Sequence, residues 1–287
     1  MADIIEIAKA KVNLSLRVVG RRADGYHELE GLTAFADFGD RLSLTPDGPD
    51  GISSDGAFAA QIEGENLLAT TLRLLKSAKP GLRTGAVRLE KSIPVAAGLG
   101  GGSADAAALL RAIDRANPGM ISSAEKAALA ARIGSDVSVC LVSRAAMLWG
   151  RGEHVRPVAA LPQAPALLVN PGIQLSTSDV FRTLGAPPAP PREGPPEPAG
   201  PFESLPSLIS YLRPRANGLE PAAHALAPVI AEVQAAIAGA RGCLLARLSG
   251  SGATCFGIFE SVERARLAGA AIERAHPDWW VRATTLT

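Results

Sequence analysis

A glycine run set between an alternating strand pattern and an alanine-rich helical stretch constrains this chain more than any other feature. It reads Gly98-Leu99-Gly100-Gly101-Gly102-Ser103-Ala104-Asp105. Glycines let the backbone approach a polyanion closely. The helix expected to start near Ser103 aims its unpaired N–H groups and the positive end of its dipole at the same place. Upstream, Ala86-Val87-Arg88-Leu89-Glu90 alternates as a strand and delivers the chain to Pro94 and the run. The segment therefore reads as a cradle for a nucleotide phosphate. It is not a Walker A loop, because no Gly-Lys-Ser/Thr closes it, and Ser103 stands where the third glycine of the dinucleotide-binding spacing belongs. A flexible linker is the bland alternative, but linkers are seldom framed by a strand and a long apolar-faced helix.

With 287 residues the chain can bury a substantial core, and two lobes are expected, 1–160 and 161–287. Its 29 basic and 28 acidic residues nearly cancel, which argues against a nucleic-acid surface or attraction to anionic membranes. The cysteines Cys140, Cys243 and Cys255 form no Cys-x-x-Cys pair and have no histidines at metal-ligand spacing, so free thiols are expected and no metal site. Charges run through the N-terminal stretch where a signal peptide needs an apolar core, and no run approaches membrane-spanning length. A cytoplasmic location follows as an expectation.

Along the chain, Ile5 to Val19 alternates as a strand, with Val12, Leu14 and Leu16 on one face and Lys9, Lys11, Asn13 and Ser15 on the other. A strand lysine is more often a solvated charge than a functional one. Asp24-Gly25 marks a turn that leads out through Tyr26 and His27, and a second alternating stretch follows through Phe35, Phe38, Leu42 and Leu44. These look like antiparallel sheet, and Pro46 to Gly56 reads as turn. Glu65 to Lys79 has helical spacing, with Leu68, Leu72 and Leu75 on one stripe. Ser122-Ser123-Ala124-Glu125 is a capping box whose helix runs to Gly134, and Asp136 follows; alone, such an acid is more often a turn or cap residue. The proline-dense stretch 186–206 excludes helix and central strand and reads as an irregular excursion of the second lobe. Ala222 to Ala240 is expected as one long helix, and Arg247 to Phe259 as strand, glycine turn, strand.

Three segments in order, Ala10-Lys11-Val12-Asn13, Pro94 to Asp105, and Leu248-Ser249-Gly250-Ser251-Gly252-Ala253, together resemble the GHMP small-molecule kinases. Within that superfamily, Arg22-Ala23-Asp24-Gly25-Tyr26-His27-Glu28-Leu29, Ile133-Gly134-Ser135-Asp136-Val137, and Ser176-Thr177 with Phe181 are similar to the members that act on 4-diphosphocytidyl-2-C-methyl-D-erythritol. The resemblance implies an α+β, two-lobed fold of mainly antiparallel sheets packed with helices, with the active site between the lobes. It implies ATP-dependent phosphorylation of the 2-hydroxyl of that cytidine-diphosphate substrate in the non-mevalonate isoprenoid precursor pathway; the sequence itself leaves monomer or homodimer open. Mg2+ is expected with ATP, although no protein ligand for it shows in the sequence.

Carried over by position, Lys11 and Asp136 match the catalytic pair of the family. Pro94, Val95, Ala96, Ala97, Gly98, Leu99, Gly100, Gly101, Gly102, Ser103 and Ala104 match its ATP loop. Asn13 lines the same pocket, Tyr26 and Phe181 match aromatics that sandwich the cytosine, His27 reads its polar edge, and Thr177 falls beside the ligand. Two other readings stand beside this one: a GHMP kinase for another small alcohol of homoserine, mevalonate or sugar type, and a non-catalytic nucleotide-binding relative. The presence of both Lys11 and Asp136 argues against the latter. The chain departs from the pattern at Gly218, where relatives usually carry aspartate, and at Ser138, where proline is common.

Overall fold

The computed structural model describes residues 3–63, 66–191 and 194–287. The chain forms two compact units, each assembled from separate segments. The first comprises the residues up to Ala10 with Phe38–Val95 and Gly100–Ser143; the second comprises Lys11–Asp37, Ala96–Leu99 and Arg144–Thr287. Two long strands, β1 (Ile4–Arg21) and β2 (His27–Thr45), pair with each other and contribute to both units.

In the first unit β3 (Gly51–Asp55) lies parallel to β4 (Ala86–Glu90), which runs antiparallel to the Arg41–Thr45 end of β2. The turn expected at 46–56 is therefore partly a strand, since Ile52 and its neighbours complete the ladder of β4. The helix α1 (Leu67–Ala78) starts where the Asn66 side chain accepts the amide of Leu68; the expected start at Glu65 lies outside the described residues. Its stripe of Leu68, Leu72 and Leu75 is buried. Each such leucine contributes about 1.5–3 kcal/mol, which holds a helix too short to stand alone in water. Three helices follow, α2 (Gly101–Ala116), α3 (Ser123–Ile133) and α4 (Val137–Val142). The Ser122 and Glu125 capping box opens α3 as expected, and Gly134 closes it with extended backbone. α2 begins at Gly101 rather than near Ser103, so two of the glycines lie inside its first turn.

In the second unit β5 (Ala146–Gly150) runs antiparallel to Leu29–Thr33 of β2 and to β6 (His154–Pro157). β7 (Ala164–Asn170), β8 (Cys243–Leu248), β9 (Cys255–Phe259) and β10 (Trp280–Leu286) make an antiparallel sheet in the order β10, β7, β9, β8, and Leu286 pairs with Ala36 of β2. The helices are α5 (Thr177–Leu184), α6 (Leu205–Leu212), α7 (Glu220–Leu226), α8 (Val229–Ala238) and α9 (Val262–Ala275). The single helix expected over 222–240 is two, because Pro228 supplies no N–H and its ring clashes with the preceding turn. Val169, Ile230, Val233, Ile237, Leu248 and Phe259 belong to one core.

The proline-dense stretch has no helix or strand before α6 among its described residues, and Arg192 and Glu193 within it lie outside them. Its first residues are nonetheless tied down: the Arg21 amide donates to the Pro187 carbonyl and the Ala189 amide to the Arg21 carbonyl, both at 2.7 Å. All three cysteines are free thiols, Cys140 and Cys255 buried and Cys243 partly so. Among the described residues no helix is long and apolar enough to cross a membrane.

Candidate active site

From Ala10 to Leu16 every residue of β1 is buried, so the polar alternates are enclosed along with the apolar ones. A buried polar group costs several kcal/mol unless bonded, and here the bonds organise the site. Lys11 is only 4% exposed, and its Nζ donates to Asn13 Oδ1 at 3.0 Å. Its backbone N–H donates to the Leu99 carbonyl at 2.8 Å, which fixes the glycine run against the strand. Asn13 Nδ2 donates to Thr33 Oγ1, and the Asn13 amide donates to Ser249 Oγ, both at 3.2 Å. Ser249 Oγ in turn donates to the Gly98 carbonyl at 2.9 Å. Lys11 and Asn13 thus sit where two glycine-rich segments meet, and the solvated strand lysine that sequence statistics favour is not what forms.

Gly98 must be glycine on two counts. Its φ is +74°, and a Cβ there would stand 2.5 Å from the Ser249 carbonyl oxygen and 2.7 Å from that of Gly252. Within the same short segment Ala96 holds φ +52°, a left-handed conformation that an alanine adopts at a cost of about 1–2 kcal/mol. Leu99 and Ala97 are buried, and the Ala97 carbonyl accepts the Thr254 amide at 3.1 Å. In the first unit, Pro94 is buried and Val95 half-buried, and left-handed Gly100 caps α2. The Ala104 amide bonds back to the Gly100 carbonyl. The amides of Gly101, Gly102 and Ser103 precede it, in the turn whose donors lack intrahelical acceptors. Gly102 is exposed and Ser103 half-exposed, as an anion cradle requires.

A second group of charges lies under that turn and escaped the sequence reading. Lys91, Asp40 and Asp105 are all buried, with Lys91 bonded to both acids. The only signal for it was an aspartate, Asp105, inside an otherwise apolar stretch of α2. Asn217 also escaped. Its Nδ2 donates to the carbonyls of Leu248 at 2.9 Å and Gly250 at 2.8 Å, and so fixes the glycine turn between β8 and β9.

In the second unit His27 and Phe181 stack, ring centroids 4.5 Å apart at 26°. Burial, aided by the positive Arg21, holds the His27 pKa below its ordinary value, so the ring is neutral at pH 7 and presents one donor and one acceptor. Tyr26 is 56% exposed, with the Arg151 guanidinium 4.9 Å from its ring centre. The hairpin that carries it is braced by Arg22, which bonds Asp24 at 3.2 Å and Glu28 at 2.7 Å, while Asp24 also accepts the Tyr26 amide at 3.1 Å. Thr177 Oγ1 lies 2.8 Å from Ser251 Oγ, placing the start of α5 against the second glycine turn. The structure therefore brings together Lys11, Asn13 and Gly98, joins His27 to Phe181, and joins Thr177 to the second turn. Asp136 belongs to the first unit, half-buried at the N-terminus of α4, where its side chain makes no capping bond.

The N-terminal domain family of the GHMP kinases matches residues 66–144 and the C-terminal family matches residues 202–278. A 4-diphosphocytidyl-2-C-methyl-D-erythritol kinase from Parvibaculum lavamentivorans is 47% identical over 283 residues, covering 97% of this chain and 96% of the relative. The chain belongs to the GHMP kinases. A further relative of the same name, from Methylobacterium radiotolerans, is 46% identical to this GHMP kinase over 290 residues and covers both chains fully. Among solved structures, a 4-(cytidine 5'-diphospho)-2C-methyl-D-erythritol kinase superimposes with TM-score 0.78 at 36% identity over 99% of each chain. The homoserine kinase of Cytophaga hutchinsonii, at TM-score 0.68 and 19% identity, shares the GHMP kinase fold over 100% of this chain and 95% of its own.

Proposed function

We propose that this GHMP kinase transfers the γ-phosphoryl group of ATP to the 2-hydroxyl of 4-diphosphocytidyl-2-C-methyl-D-erythritol, a step toward isoprenoid precursors. The observation that carries the choice of substrate is the 46–47% identity, across essentially the whole chain, with enzymes of that name. Tyr26, His27 and Phe181 suit a cytosine ring: two aromatic faces for stacking and a neutral imidazole for the ring's polar edge. Thr177 and Asn13 complete the acceptor pocket.

The chemistry needs positioning and charge neutralisation more than covalent help. Asp136 accepts the proton of the attacking hydroxyl as its oxygen bonds to the γ-phosphorus and the bond to the β–γ bridging oxygen breaks, releasing ADP. Lys11, already oriented by Asn13, offsets charge on the transferring group. Residues 94–104 hold the phosphates of ATP through backbone amides. Among the described residues no three His, Cys, Asp or Glu side chains gather as a metal cage. A Mg2+ ion bound with the nucleotide would be carried mainly by its phosphates and water, where it would supply further charge neutralisation. A division near residue 160 is supported by the two family matches, which fall on either side of it. A cytoplasmic monomer or homodimer that binds neither nucleic acid nor membrane completes the reading.

The test is ADP release from purified protein with 4-diphosphocytidyl-2-C-methyl-D-erythritol, homoserine, mevalonate or a hexose as acceptor. Turnover is expected with the cytidine-bearing alcohol alone. Turnover only with another acceptor overturns the substrate, and ATP binding without turnover on any of them overturns the activity.

A further inference from the structure

Under the first turn of α2 three charged side chains are shut away from water: Lys91 at 3% exposure, Asp40 at 0% and Asp105 at 2%. Lys91 Nζ donates to Asp40 Oδ2 at 2.5 Å and to Asp105 Oδ2 at 2.8 Å. Asp40 Oδ1 accepts the amides of Ser92 and Ile93, at 2.5 and 2.8 Å. Asp105 Oδ1 accepts nothing, and it is the one buried side-chain polar atom without a partner among the described residues. One ammonium against two carboxylates leaves a net negative charge in a dry site when both acids are ionised. A well-packed apolar trio of the same volume would be as stable or more so, which makes stability a poor reason for this cluster. Its location supplies a better one. A Cβ on Gly101 would meet Lys91 Nζ first, at 3.0 Å, so the ammonium lies directly beneath the residue that begins α2.

We propose that Lys91 is a positioning residue for the nucleotide: clamped by Asp40 and Asp105, it sets a buried ammonium under the phosphate-binding turn of α2, and a proton on Asp105 removes one of the two opposing charges when ATP is bound. This rests on the assignment of residues 94–104 to the phosphates of ATP. The amides of Gly101, Gly102 and Ser103 have no acceptor within the helix, and a phosphate held by them feels the field of the ammonium through a low-dielectric layer. An ionised Asp105 would subtract from that field.

The electrostatics agree. Burial drives the Asp105 carboxyl upward, Lys91 opposes the rise, Asp40 adds to it, and the group stands at about 7. Burial alone would lower Lys91, but the two carboxylates outweigh it and hold the ammonium above its ordinary value. The charged groups acting on Asp105 are these two. Further along α2, Arg111 and Arg115 are engaged by Glu6 of β1, and Asp114 by Lys126 of α3. The buried positions of α1, α3 and α4 carry no charge, and the Cys140 thiol is their one titratable group. The sign follows: below about pH 6 Asp105 is neutral and costs the nucleotide nothing, whereas above about pH 8 it is ionised and ATP binding must drive proton uptake.

The decisive measurement is ATP affinity by titration calorimetry, without acceptor, for wild type and Asp105→Asn between pH 6 and pH 8.5. The ionisation of ATP itself cancels in the ratio of the two dissociation constants. That ratio, wild type over variant, should be near one at pH 6 and reach about fivefold or more at pH 8.5. A ratio that stays flat with pH overturns the role of Asp105. The doubly substituted Lys91→Met, Asp105→Asn chain should bind ATP on the order of tenfold more weakly than Asp105→Asn alone, while its KM for the acceptor stays put. Equal affinities, or a parallel rise in both KM values, would reduce Lys91 to a structural part. If the double substitution prevents folding, the Asp105→Asn ratio decides alone. Wild-type protein that binds no ATP at all would instead sink the assignment of residues 94–104, a different failure from a flat ratio.

Discussion

The two glycine-rich segments of this kinase look alike in sequence and are built for opposite purposes. In the turn between β8 and β9 several polar groups are held by bonds: the Ser249 amide bonds the Thr254 carbonyl, the Gly252 amide bonds the Ser249 carbonyl, and Asn217 takes the carbonyls of Leu248 and Gly250. At the start of α2 the opposite holds. Left-handed Gly100 caps α2, whose first three amides have no helical acceptor, and a Cβ on Gly101 would meet the buried Lys91 ammonium. One segment is a scaffold and the other a receptor, and Ser249 Oγ ties the scaffold to the Gly98 carbonyl.

The contrast can be broken from either side. The largest effect is expected where chemistry is separated from binding: Asp136→Asn should lower phosphoryl transfer by about two or more orders of magnitude while ATP affinity stays within roughly twofold. Steady-state rates beside calorimetric titrations check it, and full activity in that variant would remove Asp136 from the mechanism. Next comes Gly98→Ala, which forces a Cβ into the Ser249 and Gly252 carbonyl oxygens at a positive φ. A loss of roughly 2–4 kcal/mol in urea unfolding, with weakened ATP binding, is expected; a variant of wild-type stability would mean the two segments are not locked together. Asn217→Ala probes the scaffold alone. Two carbonyls lose their donor, and about 1–3 kcal/mol of stability should go, with ATP affinity falling less than for Gly98→Ala. The smallest change is Ala96→Gly, which relieves the left-handed alanine at φ +52° but loosens the unfolded chain. The two effects nearly offset, so the midpoint should shift by less than about 1 kcal/mol, measurable by thermal melts.

How far the sequence could be read depended on whether the controlling interactions were local. β4 was legible to the residue because five alternating positions and a following proline define it, and α3 because its capping box acts over four residues. Lys11 and Asn13 were legible only as a pair on one strand face; that their face is enclosed depends on Leu99 and Ser249, 88 and more positions away, which no spacing rule reveals. The division of α7 from α8 at Pro228 was missed because apolar periodicity continues across the proline. Asp40, Lys91 and Asp105 meet from β2, the end of β4 and α2, and only the apolar surroundings of Asp105 hint at a buried charge. Nothing local to Asn217 signals the two carbonyls it holds, which lie more than thirty positions away.

The thiols carry a practical consequence. Cys140 and Cys255 are enclosed, and burial pushes the Cys255 and Cys243 sulfurs toward the protonated form that does not attack maleimides. Dye labelling of the native chain at neutral pH is therefore expected to be slow. A single Met120→Cys substitution at an exposed position would take up fluorophore selectively, giving a spectroscopic handle without first stripping the natural cysteines.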